Sequence, residues 1–109
     1  MSTVVRKEIR SFLQSIVDLI HPEKVILFGS YSWGEPTQDS DVDVLIILPF
    51  EGKAAHKAAD IMLKVGHPGF PVDLLVRTQE QITERLAKGD FFIKNIIDKG
   101  MVFYEATYV

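Results

Sequence analysis

Two aspartates, Asp41 and Asp43, stand two residues apart at the start of an apolar run that extends to Leu48. In a strand, side chains alternate between the two faces, so both carboxylates would share one face while the apolar residues occupy the other. Carboxylates at the mouth of a buried strand repel each other and resist desolvation, so they serve packing poorly. Because Mg²⁺ prefers carboxylate oxygen, we interpret the pair as ligands of a divalent cation.

The turn before this pair predicts an anion site. An apolar run ends at Phe28, Gly29 and Ser30 follow, and residues 31–40 separate them from Asp41. Glycine lets the backbone approach a ligand closely, and serine offers a hydroxyl. One helical turn over residues 30–33 would point its first amide groups outward. A phosphate cradle beside a carboxylate pair indicates phosphoryl or nucleotidyl transfer.

A third acid, Asp73, is the only charged residue between Phe70 and Val76. In a strand, Asp73 would share its face with Leu75. A lone acid in an apolar strand needs a partner or a metal. Asp73 is therefore a third candidate ligand.

A calcium loop is the competing interpretation, because Asp39, Asp41 and Asp43 match the first three ligands of an EF-hand. Val44 stands where that loop requires glycine, and Phe50 stands where it requires glutamate. We therefore interpret Asp39 as a loop or capping residue. Glycosyltransferases also use Asp-x-Asp for a metal, but this chain is too short for their usual nucleotide-sugar domain.

Hydrophobic periodicity and turn residues predict the elements that position these groups. A capping box, Thr78 to Gln81, opens one helix, and Gly100 follows another. The apolar members of that last helix, Phe91 and Phe92 among them, are predicted to be core rather than a cofactor pocket, with part of the cluster available to face another subunit. Mixed strands and helices predict an α/β (α+β) fold, with helices packed on a small mixed sheet. Predicted helices cover about 3–20, 53–65, 78–89 and 90–99, and predicted strands cover 24–28, 42–48, 72–76 and 101–104.

The composition predicts a soluble, cytoplasmic single domain. The chain has 109 residues, 47% of them hydrophobic and 25% charged, with no cysteine and a net charge of −3. One ordinary core fits this length, and no apolar stretch is long enough to span a membrane. Lysines and arginines are scattered, which disfavours a long nucleic acid as substrate.

The order Gly29-Ser30, residues 31–40, then Asp41-x-Asp43 resembles the signature of the DNA polymerase beta-like nucleotidyltransferases. The fit is closest to their smallest members, the minimal nucleotidyltransferase (MNT) proteins, often encoded beside a HEPN-domain partner. The resemblance implies that residues 1–109 form a single minimal nucleotidyltransferase domain with the polymerase beta-like nucleotidyltransferase fold.

The resemblance also implies a mechanism, in which a hydroxyl attacks the α-phosphate of ATP or another nucleoside triphosphate and pyrophosphate leaves. Asp41, Asp43 and Asp73 would hold Mg²⁺ or Mn²⁺, and Asp73 would help to deprotonate the hydroxyl. Gly29 and Ser30 would cradle the triphosphate.

This chain departs from many relatives, which carry an arginine shortly after the Gly-Ser. Here the segment is Tyr31-Ser32-Trp33, so Arg77, just beyond the third predicted strand, becomes a candidate phosphate ligand. A solvated arginine at a strand end is the alternative. Trp33 is either a base-stacking residue or a partly buried core or interface residue.

Two functions follow from the resemblance. In the first, the chain is an antitoxin that transfers AMP from ATP to a hydroxyl acceptor, a tyrosine of a HEPN-type toxin. In the second, it neutralises that partner by complex formation, or binds nucleotide as a regulatory subunit, without catalysis. The sequence leaves open the acceptor, the nucleobase, whether the chain acts without a partner, and whether it forms a homo- or hetero-oligomer.

Overall fold

The computed structural model describes residues 6–107 and confirms the predicted fold, a four-stranded mixed sheet with helices packed on it. The helix predicted from about residue 3 is seen from Arg6, and residues 3–5 lie outside the described part. The elements are α1 (Arg6–Ile20), β1 (Lys24–Phe28), β2 (Val42–Ile47), α2 (Ala54–Val65), β3 (Val72–Arg77), α3 (Gln79–Ala87), α4 (Phe91–Lys99) and β4 (Met101–Glu105), with one 3₁₀ turn (Gly29–Tyr31) after β1.

The strand order across the sheet is β3-β2-β1-β4. β1 pairs antiparallel with both β2 and β4, whereas β2 and β3 run parallel. A parallel pair needs a crossover connection, and α2 supplies it. The sheet therefore places the end of β1 beside the starts of β2 and β3.

Helices cover both faces of the sheet. In β2, Val44 and Ile46 pack on the first face against α1 and α2, and Leu45 and Ile47 pack on the second face against α3 and α4. The buried side chains of the first face include Ile9, Phe12, Leu13, Ile16, Val25, Leu27, Val42, Ile61 and Val76, and those of the second include Ile26, Phe28, Ile82, Ile93 and Ile96.

The helix ends follow the predicted local chemistry. Thr78 and Gln81 form the capping box of α3, each side chain bonding the other's backbone amide. Asp90 caps α4 by accepting a hydrogen bond from the amide of Ile93, and its carboxylate also pairs with Arg85 at 2.9 Å. These bonds fix the corner between α3 and α4 beside the second face.

The structure divides the apolar residues of α4, predicted to be mainly core, into a buried and an exposed set. Ile93 and Ile96 are buried, but Phe91 is 78% exposed and Phe92 is 56% exposed. The helix has only nine residues, and the three-residue spacing of the two isoleucines already defines its inward stripe. Phe91 lies opposite that stripe, whereas Phe92, four residues before Ile96, lies at its edge with its ring against Phe28.

None of the helices within residues 6–107 combines the length and the hydrophobicity that crossing a membrane requires.

Candidate active site

The parallel pairing of β2 with β3 sets Asp43 directly beside Asp73, because the two residues are partners in register. Both side chains therefore point to the second face, at the end of the sheet where β2 and β3 begin. Asp43 is half-buried and Asp73 is exposed. Neighbouring strands lie about 4.8 Å apart, so the two carboxylates are neighbours in space although thirty residues separate them in sequence.

Asp41 lies at the same end of the sheet, exposed in the loop just before β2. The predicted strand 42–48 ends one residue early, at Ile47, and its start at Val42 is as predicted. Asp41 is close enough for its charge to act on Asp43. The structure thus places Asp43 and Asp73 side by side and Asp41 at the same end of the sheet.

The pKa of Asp43 shows that this arrangement disfavours its ionised carboxylate. Partial burial, then the charge of Asp73, then that of Asp41 raise the pKa of Asp43 from its ordinary 3.8 to about 6. Each cause disfavours the ionised carboxylate. A cation placed among the three groups would remove most of this penalty.

Gly29 forms the other side of the site. It follows Phe28, the antiparallel register partner of Asp43, and has a φ of +74°. A Cβ atom on Gly29 would overlap Oδ2 of Asp43. The backbone at this position therefore lies against the carboxylate, as close as glycine alone allows.

The turn after Gly29 is short and well anchored. The amides of Ser32 and Trp33 both donate to the carbonyl oxygen of Gly29, at 2.9 and 3.0 Å, and Tyr31 is buried in the first-face core. The predicted helical turn over residues 30–33 is a 3₁₀ turn over 29–31. Ser30 lies within it, half-buried and next to the contact between Gly29 and Asp43.

The structure does not bring Arg77 to the carboxylates. Arg77 pairs in register with Ile47, at the far end of β3, four residues and about 13 Å along the strand from Asp73. Its guanidinium donates to the carbonyl oxygen of Val76 at 2.7 Å. This position fits the alternative interpretation, an arginine at a strand end.

Three aromatic side chains border the site. From the sequence, only Trp33 was a candidate for contact with a ligand. The ring of Phe28 is 6.2 Å from that of Trp33 and 5.9 Å from that of Phe92. Trp33 was singled out by its place after the glycine turn. Phe92 carries no local signal, because its position depends on how α4 packs across β1.

The donor set fits a hard divalent cation. Among the described residues, no group of three or more His, Cys, Asp or Glu side chains is arranged so that it could hold a metal ion. Asp43 and Asp73 nevertheless supply adjacent carboxylate oxygens, Asp41 is a third, and their repulsion raises the pKa of Asp43. Such an incomplete, oxygen-only set is typical of Mg²⁺, which keeps waters and substrate phosphates as its other ligands.

Substitution of Gly29 tests its contact with Asp43. Gly29→Ala should destabilise the fold more than Gly52→Ala, because Gly52 has a similar φ of +86° but open space around it. The backbone conformation costs roughly 1–2 kcal/mol in both variants, and the overlap should add roughly 1–3 kcal/mol in the first. Urea unfolding measures both. In an Asp43→Ala background the extra cost should disappear; its persistence there would show that Asp43 is not the cause.

The raised pKa of Asp43 predicts a pH-dependent gain in stability for Asp43→Asn without divalent cations. The native carboxyl holds its proton up to about pH 6, whereas the unfolded one loses it near 3.8, so ionisation costs native stability increasingly between these values. Above pH 6 the amide should gain on the order of 1 kcal/mol, after allowance for solvent screening. The gain should vanish below pH 4.

Thermal unfolding across pH measures this difference, and Asp39→Asn, in the exposed loop, is the matched control. A pH-independent difference, or a loss of stability at neutral pH, would contradict the electrostatic account.

The chain matches a known protein family over most of its length. The sequence profile of the nucleotidyltransferase domain matches residues 6–102. A Methanocaldococcus jannaschii protein named "putative protein adenylyltransferase" is 30% identical over 84 residues, which cover 75% of this chain and 78% of that protein.

A solved structure shows the same fold at much lower sequence identity. The crystal structure titled as a putative nucleotidyltransferase from Sulfolobus solfataricus matches with a TM-score of 0.59 and 17% identity, covering 91% of this chain and 78% of that one. The family profile spans both the glycine turn and all three aspartates. The chain therefore belongs to the nucleotidyltransferase domain family.

Proposed function

We propose that this protein transfers AMP from ATP to a tyrosine hydroxyl of a HEPN-type partner and thereby acts as its antitoxin. The observation that supports transfer chemistry best is the register of Asp43 with Asp73, with the backbone of Gly29 pressed against Asp43. This arrangement gathers acidic ligands and a close-approach turn at one open end of the sheet. It suits a substrate that carries phosphates and is bound through a cation.

The proposed reaction is a single displacement at phosphorus. The acceptor oxygen attacks the α-phosphorus of ATP, a new P–O bond forms, and the bond from the α-phosphorus to the bridging oxygen breaks so that pyrophosphate leaves. Asp73 is exposed and next to Asp43, so it can accept the proton of the acceptor hydroxyl. Gly29 and Ser30 would border the β- and γ-phosphates.

The metal ligands in this proposal are Asp41, Asp43 and Asp73. Bound Mg²⁺ or Mn²⁺ would neutralise phosphate charge and the repulsion among the carboxylates. Without it, negative phosphates would meet three negative side chains. A divalent cation is therefore required for substrate binding as well as for the chemistry.

The choice of a protein as acceptor is supported by the Methanocaldococcus jannaschii relative, whose name describes a protein adenylyltransferase. The HEPN-type partner, the antitoxin role and a hetero-oligomer with that partner rest on the sequence resemblance to the minimal nucleotidyltransferases.

A non-catalytic antitoxin is the second candidate, and the position of Arg77 favours it. Among the described residues, the turn after β1 and the starts of β2 and β3 carry no lysine or arginine, and Arg77 lies at the far end of β3. A site poor in positive charge binds a triphosphate through the cation and backbone alone. The protein would then neutralise its partner by covering it.

Intact-mass spectrometry separates the two candidates. The protein encoded beside this chain is incubated with it, ATP and Mg²⁺, and its mass is recorded over time. We expect an added mass of one or more AMP units, at a rate that Asp43→Asn lowers roughly 100-fold or more. Asp39→Asn should leave the rate unchanged, because that loop acid lies outside the site.

Unchanged mass in a partner that nevertheless binds would overturn transfer to that partner. The same result would favour the non-catalytic antitoxin, particularly if Asp43→Asn still neutralises the partner in cells.

A further inference from the structure

Beside the carboxylates, the partly exposed rings of Trp33 and Phe92 both contact the buried ring of Phe28. Phe28 is 5% exposed, whereas Trp33 and Phe92, whose rings both contact it, are 45% and 56% exposed. We call these three residues the aromatic surface. Large apolar side chains that contact a core residue and remain half in solvent leave ring area free for a ligand.

The position of the aromatic surface links it to the proposed reaction. Phe28 is the register partner of Asp43 on the neighbouring strand, so the two side chains project from the same face about 5 Å apart at the backbone. Gly29, which touches Asp43, is the next residue in the chain. The surface therefore adjoins the place where the phosphates are proposed to bind.

The open space next to the surface is large enough for part of a nucleotide. A groove of about 400 Å³ runs between β3, α3 and α4, with Phe92 on one side and Leu75 on the other. Leu75 lies two residues beyond Asp73 and on the same face. The groove borders the ring of Phe92, and its lining includes Arg77 and Arg85 but none of the three aspartates.

Phe91 shows that exposure alone does not define this surface. It is 78% exposed and precedes Phe92 on α4, yet within residues 6–107 it takes part in none of the close ring pairs. At 3.6 residues per turn, Phe91 lies on the face of α4 opposite Ile93 and Ile96. Phe91 is therefore a matched control for Phe92.

We propose that the aromatic surface is the nucleobase subsite, on which the base of the bound nucleoside triphosphate stacks. This inference rests on the proposed function, since it assumes that the phosphates bind at the carboxylates and the Gly29 turn. Aromatic rings bind any base through its π face, without hydrogen bonds that read its identity. The surface should therefore accept all four bases and prefer purines, which offer the larger face.

The chain has one tryptophan, Trp33, so its fluorescence reports on this surface alone. With Mg²⁺ present, a non-hydrolysable α,β-methylene analogue of ATP should quench that fluorescence saturably. Inorganic tripolyphosphate, which has no base, should bind without comparable quenching. Equal quenching by both probes would overturn the proposal.

Binding of the same analogue to variants, measured by calorimetry, gives an independent test. Trp33→Ala and Phe92→Ala should each raise Kd roughly tenfold, whereas Trp33→Phe and Phe91→Ala should stay within about twofold of the wild type. Kd for tripolyphosphate should be the same in all four variants. Since the substituted side chains are exposed, circular dichroism should show an unchanged fold.

The outcomes separate this inference from the function on which it rests. Wild-type affinity for the analogue in both alanine variants would overturn the base subsite and leave the phosphate site standing; the exposed rings would then be free for a protein partner. If the wild type binds neither the analogue nor tripolyphosphate with Mg²⁺, both the proposed function and the subsite are wrong.

Discussion

The parallel register between β2 and β3 is the interaction on which the site depends. It sets Asp43 beside Asp73, and the alternation of apolar residues in β3 holds it in place. Leu74 and Val76 pack on the first face and Leu75 on the second, so both faces specify the same register. A slip of one residue would turn Asp73 into the first-face core and bring Leu74 to the site.

The hydrophobic core on both faces of the sheet contributes stability that offsets the repulsion among the carboxylates. Within a few residues of Asp43, β2 passes from an open end with three carboxylates to Leu45 and Ile47, which are almost fully buried. Side chains of α3 and α4 cover these two residues. Asp43, by contrast, is half-buried, and at this end of the sheet the proposed cation and phosphates would bind.

Local sequence patterns predicted those features that depend only on neighbouring residues in the chain. The bounds of β1, the capping box at Thr78 and the glycine turn each depend on neighbouring residues, and the structure contains them. Asp73 was identified as an isolated charge in an apolar run, and only the fold shows that it meets Asp43.

The remaining features depend on packing between distant segments. The contact of Phe92 with Phe28 depends on the packing of α4 against β1, and the distance of Arg77 from the carboxylates follows from the direction of β3. Neither the ring contact nor this distance can be predicted from neighbouring residues in the sequence. The contact between Gly29 and Asp43 is of the same kind, since it requires the antiparallel pairing of β1 with β2.

The central claim is that the three carboxylates form one cation site. Calorimetric titration of Mn²⁺ into the wild type and into the double variant Asp43→Asn with Asp73→Asn, at neutral pH, tests it most directly. The account predicts that Mn²⁺ binds the wild type saturably and does not bind the double variant. The double variant should keep its fold, because neither substituted side chain belongs to the core. Equal binding to both proteins would contradict it, because the cation would then be held by groups outside this site.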